Sequence, residues 1–565
     1  MERSRLRKSP SRYEAVLRSR SKSRSQKEDK SEKTKKKIPY KEKSPTRKSE
    51  RVARSNAKSK SPSKPSKVAN ALKKIELIRD SLTPDRKMVE EVVRSSVQKF
   101  EEVATDMMTS VRKLTRSTFK DEFEKNQNAK GLKDSDSDVT VLPENNVKET
   151  KKTTQNYTGF VKTLLALFMM FFYPALVFLS YVGCVSGNCS LVPNVTFSHV
   201  KVIDKDAAVW YTGFLLSQFI LATLPLGFKS DGTVIRGTRL MYRNNGIGTL
   251  FVTLGVFTAI YYYTSFPLTK LLDKSVPFLF MATVYAVFLS VVLYVKSVYQ
   301  KVVRNPLGNT GYFVYDFWTG GEVNPRVGPL DFKTVVLRTS FVTLVLLNCL
   351  FALKEVESVA RPSEFSVPLM VVCAFQVLFA LDFLMFENSF LSTYTVTQEG
   401  TGYFFLIWRS ILPFWLALLP KYLQTVEVFN NFYVVMAASL MYLVGYIVYR
   451  VSSEQKAKFL KHHRVDKLQD IVQERRFGSN LFRGGLWGFV RHPNYTGFLL
   501  MQMAWGLLCG GVTQFHWVPF VIPLFAIFEH LYQVTRVEER SFVQHPTAWV
   551  TYTMMVKSRL IPRVF

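Results

Sequence analysis

The chain is predicted to be an all-α polytopic membrane protein. About ten transmembrane helices follow a disordered basic N-terminal region that carries one amphipathic helix. Three observations predict this. Apolar runs, several near the length needed to cross a bilayer, recur from Phe160 onward between short polar loops. The overall 47% hydrophobic content and mean hydropathy of +0.03 average two unlike halves that divide near Thr158. Residues 1–100 hold 32 Lys and Arg against 12 Asp and Glu, so +20 of the formal +32 lies in that stretch.

Residues 1–70 are rich in Ser, Lys, Arg and Pro and poor in large apolar side chains, so burial cannot offset the entropy of ordering them. Arg18, Arg20, Lys22 and Arg24 alternate with serines, and Lys35, Lys36 and Lys37 add a further block. Such a polycation binds DNA mainly by neutralising phosphates, salt-sensitively and with little sequence preference. Anionic lipid is the alternative partner. Ser9, Ser19, Ser21, Ser23, Ser44 and Ser61 are candidate phosphorylation sites, and each phosphate would add about −1.5 to −2 charge. Modifying several would act as a charge switch.

Residues 71–126 are predicted to form an amphipathic helical segment. Val93, Phe100, Met107 and Leu114 recur every seven residues, flanked on the same face by Val97, Ala104 and Val111. Thr83 is placed to cap it, with Pro84 at the first helical position. The narrow stripe suits a coiled-coil seam or a partner's groove, with self-association through residues 86–115; a solvent-exposed helix is the alternative. Residues 127–157, with Asp134, Asp136 and Asp138, read as an acidic, polar linker.

In the membrane half, residues 158–565, spans are predicted at 160–182, 209–228, 247–264, 277–295, 335–353, 367–386, 404–420, 432–449, 495–511 and 517–532. The charged opening Met1-Glu2-Arg3-Ser4-Arg5 does not read as a cleavable signal peptide, so the first span is expected to anchor the chain. Lys and Arg in short loops stay cytoplasmic, which puts Lys229, Arg236, Arg239 and Arg243, loop 301–333 and loop 450–491 on that side with both termini. Loop 183–208 is then lumenal and holds the sequons at Asn188 and Asn194. Cys184 and Cys189 are placed to pair there, whereas Cys349, Cys373 and Cys509 fall in apolar runs. The seven His residues show no metal-ligand spacing, so no metal site is expected.

Polar groups at a membrane boundary mark a candidate site. Trp487-Gly488-Phe489-Val490-Arg491-His492-Pro493-Asn494-Tyr495 sets an Arg, a His and an Asn against the apolar run that follows. Burying them unpaired would cost several kcal/mol each, so an anionic, phosphate-bearing ligand is expected. A basic loop snorkelling to lipid headgroups is the duller alternative. The segment 308–326 likewise mixes glycines, aromatics and charges in a way that lipid exposure would not tolerate.

The Gly308-Asn309, Tyr315-Asp316-Phe317 and Glu322-Val323-Asn324-Pro325-Arg326 elements, the Gln455-Lys456 pair, the Trp487 to Tyr495 motif and Ala548-Trp549 together resemble the sterol C14-reductase / lamin B receptor family, from about residue 160 to 565. The resemblance implies a bundle of about ten helices that binds NADPH on its cytoplasmic face beside a sterol pocket open to the bilayer. On it, Lys456, Arg491 and His492 would neutralise cofactor phosphates, with Arg536 a further cofactor contact. Trp487 and Tyr495 would cover flat rings, Asn494 would orient an amide, and Tyr552 matches another cofactor contact. Reduction also needs an acid, for which Glu399 and Asp316 are the candidates.

Several positions depart from the family. Its pattern Thr-x-Asp-Ile-x-x-Asp-Gly-Phe-Gly reads here from Thr393 to Gly402, with Thr395 for the first Asp and Glu399 the one remaining acid. A Gly-Asp pair is replaced at Trp408-Arg409, another reads Gly497-Phe498, and Arg-x-x-Arg-Asp-Glu reads from Gln533 through Arg536 and Val537 to Glu538. Leu460 stands where a basic residue is expected. Each change removes a hydrogen-bonding or proton-transfer role without preventing folding, so impaired catalysis is expected. The long basic, Arg-Ser-containing region resembles the lamin B receptor branch, without an evident Tudor domain. Three readings follow: a protein of the inner nuclear membrane, continuous with the endoplasmic reticulum, that anchors B-type lamin and chromatin; an active NADPH-dependent delta-14 sterol reductase; or a sterol-binding non-enzyme.

Overall fold

The computed structural model describes residues 144–185, 188–189, 201–235, 238–300, 304–361, 364–426, 428, 431–462, 471–473, 480–510 and 518–562. The basic tail, with all its candidate binding and phosphorylation residues, the amphipathic stripe and the sequon Asn194 lie outside the described residues.

The chain enters through α1 (Glu144–Gly183). This helix starts well before the predicted span at 160, because the Lys, Glu, Thr and Asn residues preceding it continue a turn that the apolar part has already nucleated. A two-residue ladder, β1 (Cys184–Val185) with β2 (Asn188–Cys189), follows, and the Cys184–Cys189 disulfide closes it. Next come α2 (Lys205–Thr223), the hairpin β3 (Phe228–Ile235) with β4 (Thr238–Asn244), and α3 (Gly246–Thr264). That hairpin holds the basic loop expected between the second and third spans, and its two strands pair antiparallel.

A 3-10 turn (Leu268–Lys274) leads into α4 (Ser275–Tyr299), then α5 (Phe313–Thr319), the ladder β5 (Arg326–Val327) with β6 (Leu330–Asp331), α6 (Phe332–Ser358) and α7 (Val367–Met385). The single turns α8 (Glu387–Phe390) and α9 (Tyr394–Thr397) connect to α10 (Tyr403–Thr425) and α11 (Phe432–His462). The chain ends with the ladder β7 (Ile471–Gln473) and β8 (Asn480–Phe482), then α12 (Pro493–Gly510), α13 (Val521–Gln544) and α14 (Pro546–Met555).

Among the described residues, eight segments are long and apolar enough to cross a membrane: Gly159–Gly183, Gly246–Thr264, Leu268–Tyr299, Phe332–Ser358, Val367–Met385, Tyr403–Thr425, Phe432–Leu460 and Val518–Gln544. The other two predicted spans are helices as well, but α2 is diluted by Lys205, Asp206 and Gln218, and α12 by Asn494, Thr496 and Gln502. Large apolar side chains such as Phe171 (72% exposed) and Phe251 (67%) stand outward, which suits lipid and not water. The inner pair is α6 and α10, each with 78% of its apolar stretch buried, against 17% for α1. Val342, Leu406, Ile411, Ala417, Trp505 and Leu508 lie in the core around them.

Two glycine contacts position the site. A Cβ on Gly497 of α12 would strike the Tyr449 backbone, and one on Gly445 of α11 would lie 2.8 Å from the Gly497 carbonyl. Small residues let these helices touch along their backbones. Gly320, at φ 86°, meets Gly402 backbone to backbone, which binds the segment after α5 to the loop before α10.

Candidate functional site

Asp316, on α5, accepts hydrogen bonds from the Thr310 amide (2.8 Å), the Thr310 hydroxyl (2.7 Å) and the Gly311 amide (3.0 Å). Its buried carboxylate organises the loop on which it sits. Nearby, Glu322 pairs with Lys296 at 2.8 Å, and the Glu322 carbonyl accepts the Thr401 amide at 2.8 Å. The loop carrying Glu399 is therefore clamped at its end.

Lys333, one residue into α6, is fully buried and donates to the carbonyls of Thr395 (2.7 Å) and Glu399 (2.5 Å). Its ammonium fixes the backbone of the acidic loop. Glu399 itself keeps Oε2 buried with no hydrogen-bond partner among the described residues. Burial raises the pKa of Glu399 above its ordinary value, with Arg409 and Lys333 opposing. Glu529 of α13 lies within electrostatic reach of Glu399 and Arg409 and accepts from Gln533 at 3.1 Å. Arg409 Nε is also buried and unpartnered, and its guanidinium faces the Phe405 ring at 5.8 Å.

A second cluster is built around the Trp487 motif. Trp487 sits in a 3-10 turn and donates Nε1–H to the Ser452 carbonyl at 3.0 Å, while its own carbonyl accepts the Tyr552 hydroxyl at 2.9 Å. Lys456 Nζ lies 4.9 Å from the centre of the Trp487 ring and has no hydrogen-bond partner among the described residues. Arg491 donates Nε to the Val556 carbonyl (2.8 Å), one terminal nitrogen to Glu538 (3.1 Å) and the other to the Lys557 carbonyl (3.1 Å). The amides of Arg491 and His492 reach the carbonyls of Ser558 and Arg559 at 3.0 Å, so the C-terminal strap is fastened across this motif.

His492 is buried, with Nε2 3.5 Å from Glu538 Oε1, beyond good hydrogen-bond geometry, and no other partner among the described residues. Burial lowers its pKa, outweighing the upward pull of Glu538. Asn494 Oδ1 is likewise buried and unpartnered. Tyr495 stacks on His492 (5.5 Å between centroids), meets His530 edge-on (5.0 Å), and lies within electrostatic reach of Tyr394, Glu399 and Glu529. Arg536 is ringed by Tyr315, Tyr394 and Tyr532 and contacts Glu539 at 3.4 Å.

Pairwise contacts link these residues: Lys456 to the Trp487 ring, Trp487 to Tyr552, Arg491 and His492 to Glu538, and His492 to Tyr495, which lies within electrostatic reach of Glu399 on the acidic loop. Arg536 joins that loop through Tyr394. Sequence reasoning missed Lys333 and Glu529. Both were visible as ionisable residues at or inside apolar runs, where such groups require a partner. Among the described residues no group of His, Cys, Asp and Glu is arranged to hold a metal ion.

The residues fit NADPH in part. Lys456 is free for a phosphate, and the orphaned Asn494 oxygen suits an amide N–H, whereas the guanidinium of Arg491 is taken by the protein itself.

The family described as "Ergosterol biosynthesis ERG4/ERG24 family" matches residues 147–565. The chain is 31% identical over 403 residues to the delta(14)-sterol reductase LBR of Gallus gallus, covering 69% of this chain and 61% of that protein. It is 30% identical over 361 residues to the delta(14)-sterol reductase TM7SF2 of Mus musculus, covering 62% of this chain and 83% of the relative. It is 28% identical over 379 residues to the delta(14)-sterol reductase erg24 of Schizosaccharomyces pombe, covering 65% of this chain and 87% of the relative.

Proposed function

The chain belongs to the ergosterol biosynthesis ERG4/ERG24 family, and from that premise we propose that it is a lamina- and chromatin-anchoring protein of the inner nuclear membrane whose reductase-type membrane domain binds sterol and turns it over poorly. One observation carries the catalytic half of this reading: of the groups expected to neutralise cofactor phosphates, Arg491 is held by two carbonyls and Glu538, buried His492 has its pKa lowered, and the Lys456 ammonium has no hydrogen-bond partner among the described residues; Arg536, the further cofactor contact, is held by Glu539 among tyrosines. A charge-assisted hydrogen bond is worth roughly 1.5–3 kcal/mol, so each guanidinium withheld weakens phosphate binding by about tenfold or more.

When bound, NADPH would supply a hydride to a sterol double bond. Lys456 would hold a phosphate and Asn494 would orient an amide, while burial disfavours a charge on His492. Titration of NADPH against the purified full chain tests this. Binding weaker than that of an active delta-14 reductase by tenfold or more, and reduced again by Lys456→Ala, is expected; equal affinity would overturn it.

The tethering half rests on the sequence-level resemblance and on the +20 charge of residues 1–100. Residues 1–157 would bind DNA through phosphate neutralisation and B-type lamin through the heptad stripe, with serine phosphorylation weakening both. Deleting them should abolish DNA and lamin binding and release the protein from the nuclear rim. Persistence of both functions would overturn the assignment.

A specific observation favours a second reading, an active delta-14 reductase. Glu399 has a raised pKa and a free oxygen beside Tyr495, as a proton donor requires. Restoration of sterol C14 reduction in reductase-deficient cells would establish it.

A further inference from the structure

We infer that the groove between α3 and α6 is a binding site for one hydrocarbon chain of a zwitterionic phospholipid, whose head rests on the 3-10 turn at the groove's end. The site is separate from the cofactor and acidic-loop residues and stands whether or not the chain is a reductase.

A cavity of about 260 Å³ lies between the two helices. Leu254, Phe257 and Tyr261 share one face of α3, Leu346, Leu350 and Leu353 share one face of α6, and Leu268 of the 3-10 turn closes the end. Thr258 and Cys349 complete the lining. An apolar cavity of only ~150 Å³ already stays dry and takes a hydrocarbon. Thr258, Tyr261 and Cys349 are exposed although they lie within membrane-crossing segments, so the groove opens sideways into lipid.

The groove is remote from the candidate site. At about 1.5 Å per helical residue, Lys354 stands roughly 30 Å along α6 from Lys333, about the thickness of a bilayer's hydrocarbon core. Its polar mouth therefore meets the opposite membrane face.

That mouth carries both signs of charge. Thr269 donates its hydroxyl to Glu357 at 2.9 Å and Lys354 pairs with Asp273 at 3.8 Å, which fastens the 3-10 turn to the end of α6 beside Leu268 and Leu353. Residues three apart in a 3-10 turn eclipse, so Lys270 and Asp273 project from one face. The Lys270 ammonium has no partner among the described residues, and Asp273 is 70% exposed. A zwitterionic head brings a phosphate to Lys270 and an ammonium to Asp273. An anionic head meets the lysine and is repelled by the carboxylates, and a sterol hydroxyl brings no charge to either.

Photo-crosslinking of the full-length protein in lipid nanodiscs tests the site, with phosphatidylcholine bearing a diazirine on its acyl chain as probe. Label should concentrate on residues 254–261 and 346–353. Thr258→Trp, which fills the groove from an exposed position, should lower labelling of 346–353 at least fivefold, whereas Val256→Trp, exposed on α3 and outside the lining, should leave it unchanged. In the wild type, phosphatidylglycerol with the same chain should label these residues at least threefold less, and Lys270→Gln with Asp273→Asn should erase that difference. Label spread evenly over the exposed spans and indifferent to Thr258→Trp overturns the site, leaving bulk lipid contact. Stronger labelling by a diazirine sterol, or crosslinking of two copies through the groove, overturns the choice of occupant. NADPH affinity should not respond to Thr258→Trp, so the outcome here is independent of the reductase reading.

Discussion

Glu538 holds Arg491 at 3.1 Å with side chains only 10% and 13% exposed, and the same carboxylate reaches Arg559 at 3.0 Å on the C-terminal strap. Breaking such a buried pair from one side leaves an uncompensated charge, at a cost of about 3–5 kcal/mol. Glu538→Gln should therefore lower the midpoint of thermal unfolding strongly in detergent. Arg559→Gln removes a partner that is 32% exposed and should cost less than about 1 kcal/mol. Equal losses from the two variants would contradict this arrangement.

His492 predicts an acid-sensitive fold. Its folded-state pKa lies below the ordinary 6.5 because burial disfavours the charged ring, so the unfolded chain binds its proton more readily. The contribution to stability is complete above pH 6.5 and is lost as pH falls from there toward the lowered value. Unfolding midpoints measured across that window should decline for the wild type and decline less for His492→Asn, in which no ring titrates.

Asp316 should behave as a loop organiser. Asp316→Asn forfeits charge-assisted bonds to Thr310 and Gly311 and is expected to cost roughly 1.5–3 kcal/mol. Limited proteolysis near residues 308–312 should accelerate in step. Loss of sterol turnover with unchanged stability and proteolysis would instead make Asp316 a chemical participant.

Gly497→Ala should destabilise the protein by about 1–3 kcal/mol or more, since the added methyl meets the Tyr449 backbone, which cannot step aside. Gly213→Ala on α2 meets nothing within 4 Å and should be neutral or stabilising by up to about 1 kcal/mol. Thermal unfolding of the two variants side by side separates a helix-contact effect from a general intolerance of substituted glycines.

How much was legible in the sequence differs by feature. The helices were legible because a bilayer demands long apolar runs, and each predicted span overlaps a helix, although the span at 209–228 runs past the end of α2 at Thr223. The start of α1 was not, because polar residues continue a nucleated helix without any compositional signal. The β3–β4 hairpin was missed where basic residues drew attention to charge and away from the β-branched run at 233–235. At the site, the Trp487 to Tyr495 motif was legible as polar chemistry at a membrane edge. The satisfaction of Arg491 was not, since its acceptors, Val556 and Lys557, are backbone carbonyls, which every residue possesses.

By itself the sequence determined a polytopic helical membrane half of the ERG4/ERG24 kind behind a strongly basic region, and it singled out some of the polar side chains at the membrane edge while passing over Lys333 and Glu529. Apolar length and charge are properties of the chain alone. Tertiary structure decided which of those groups remain available: Lys456, Asn494, Arg409 and Glu399 retain unsatisfied atoms, whereas Arg491 and Asp316 are consumed by the fold. Availability depends on what else a donor or acceptor touches, and partners far apart in sequence meet only once the helices pack.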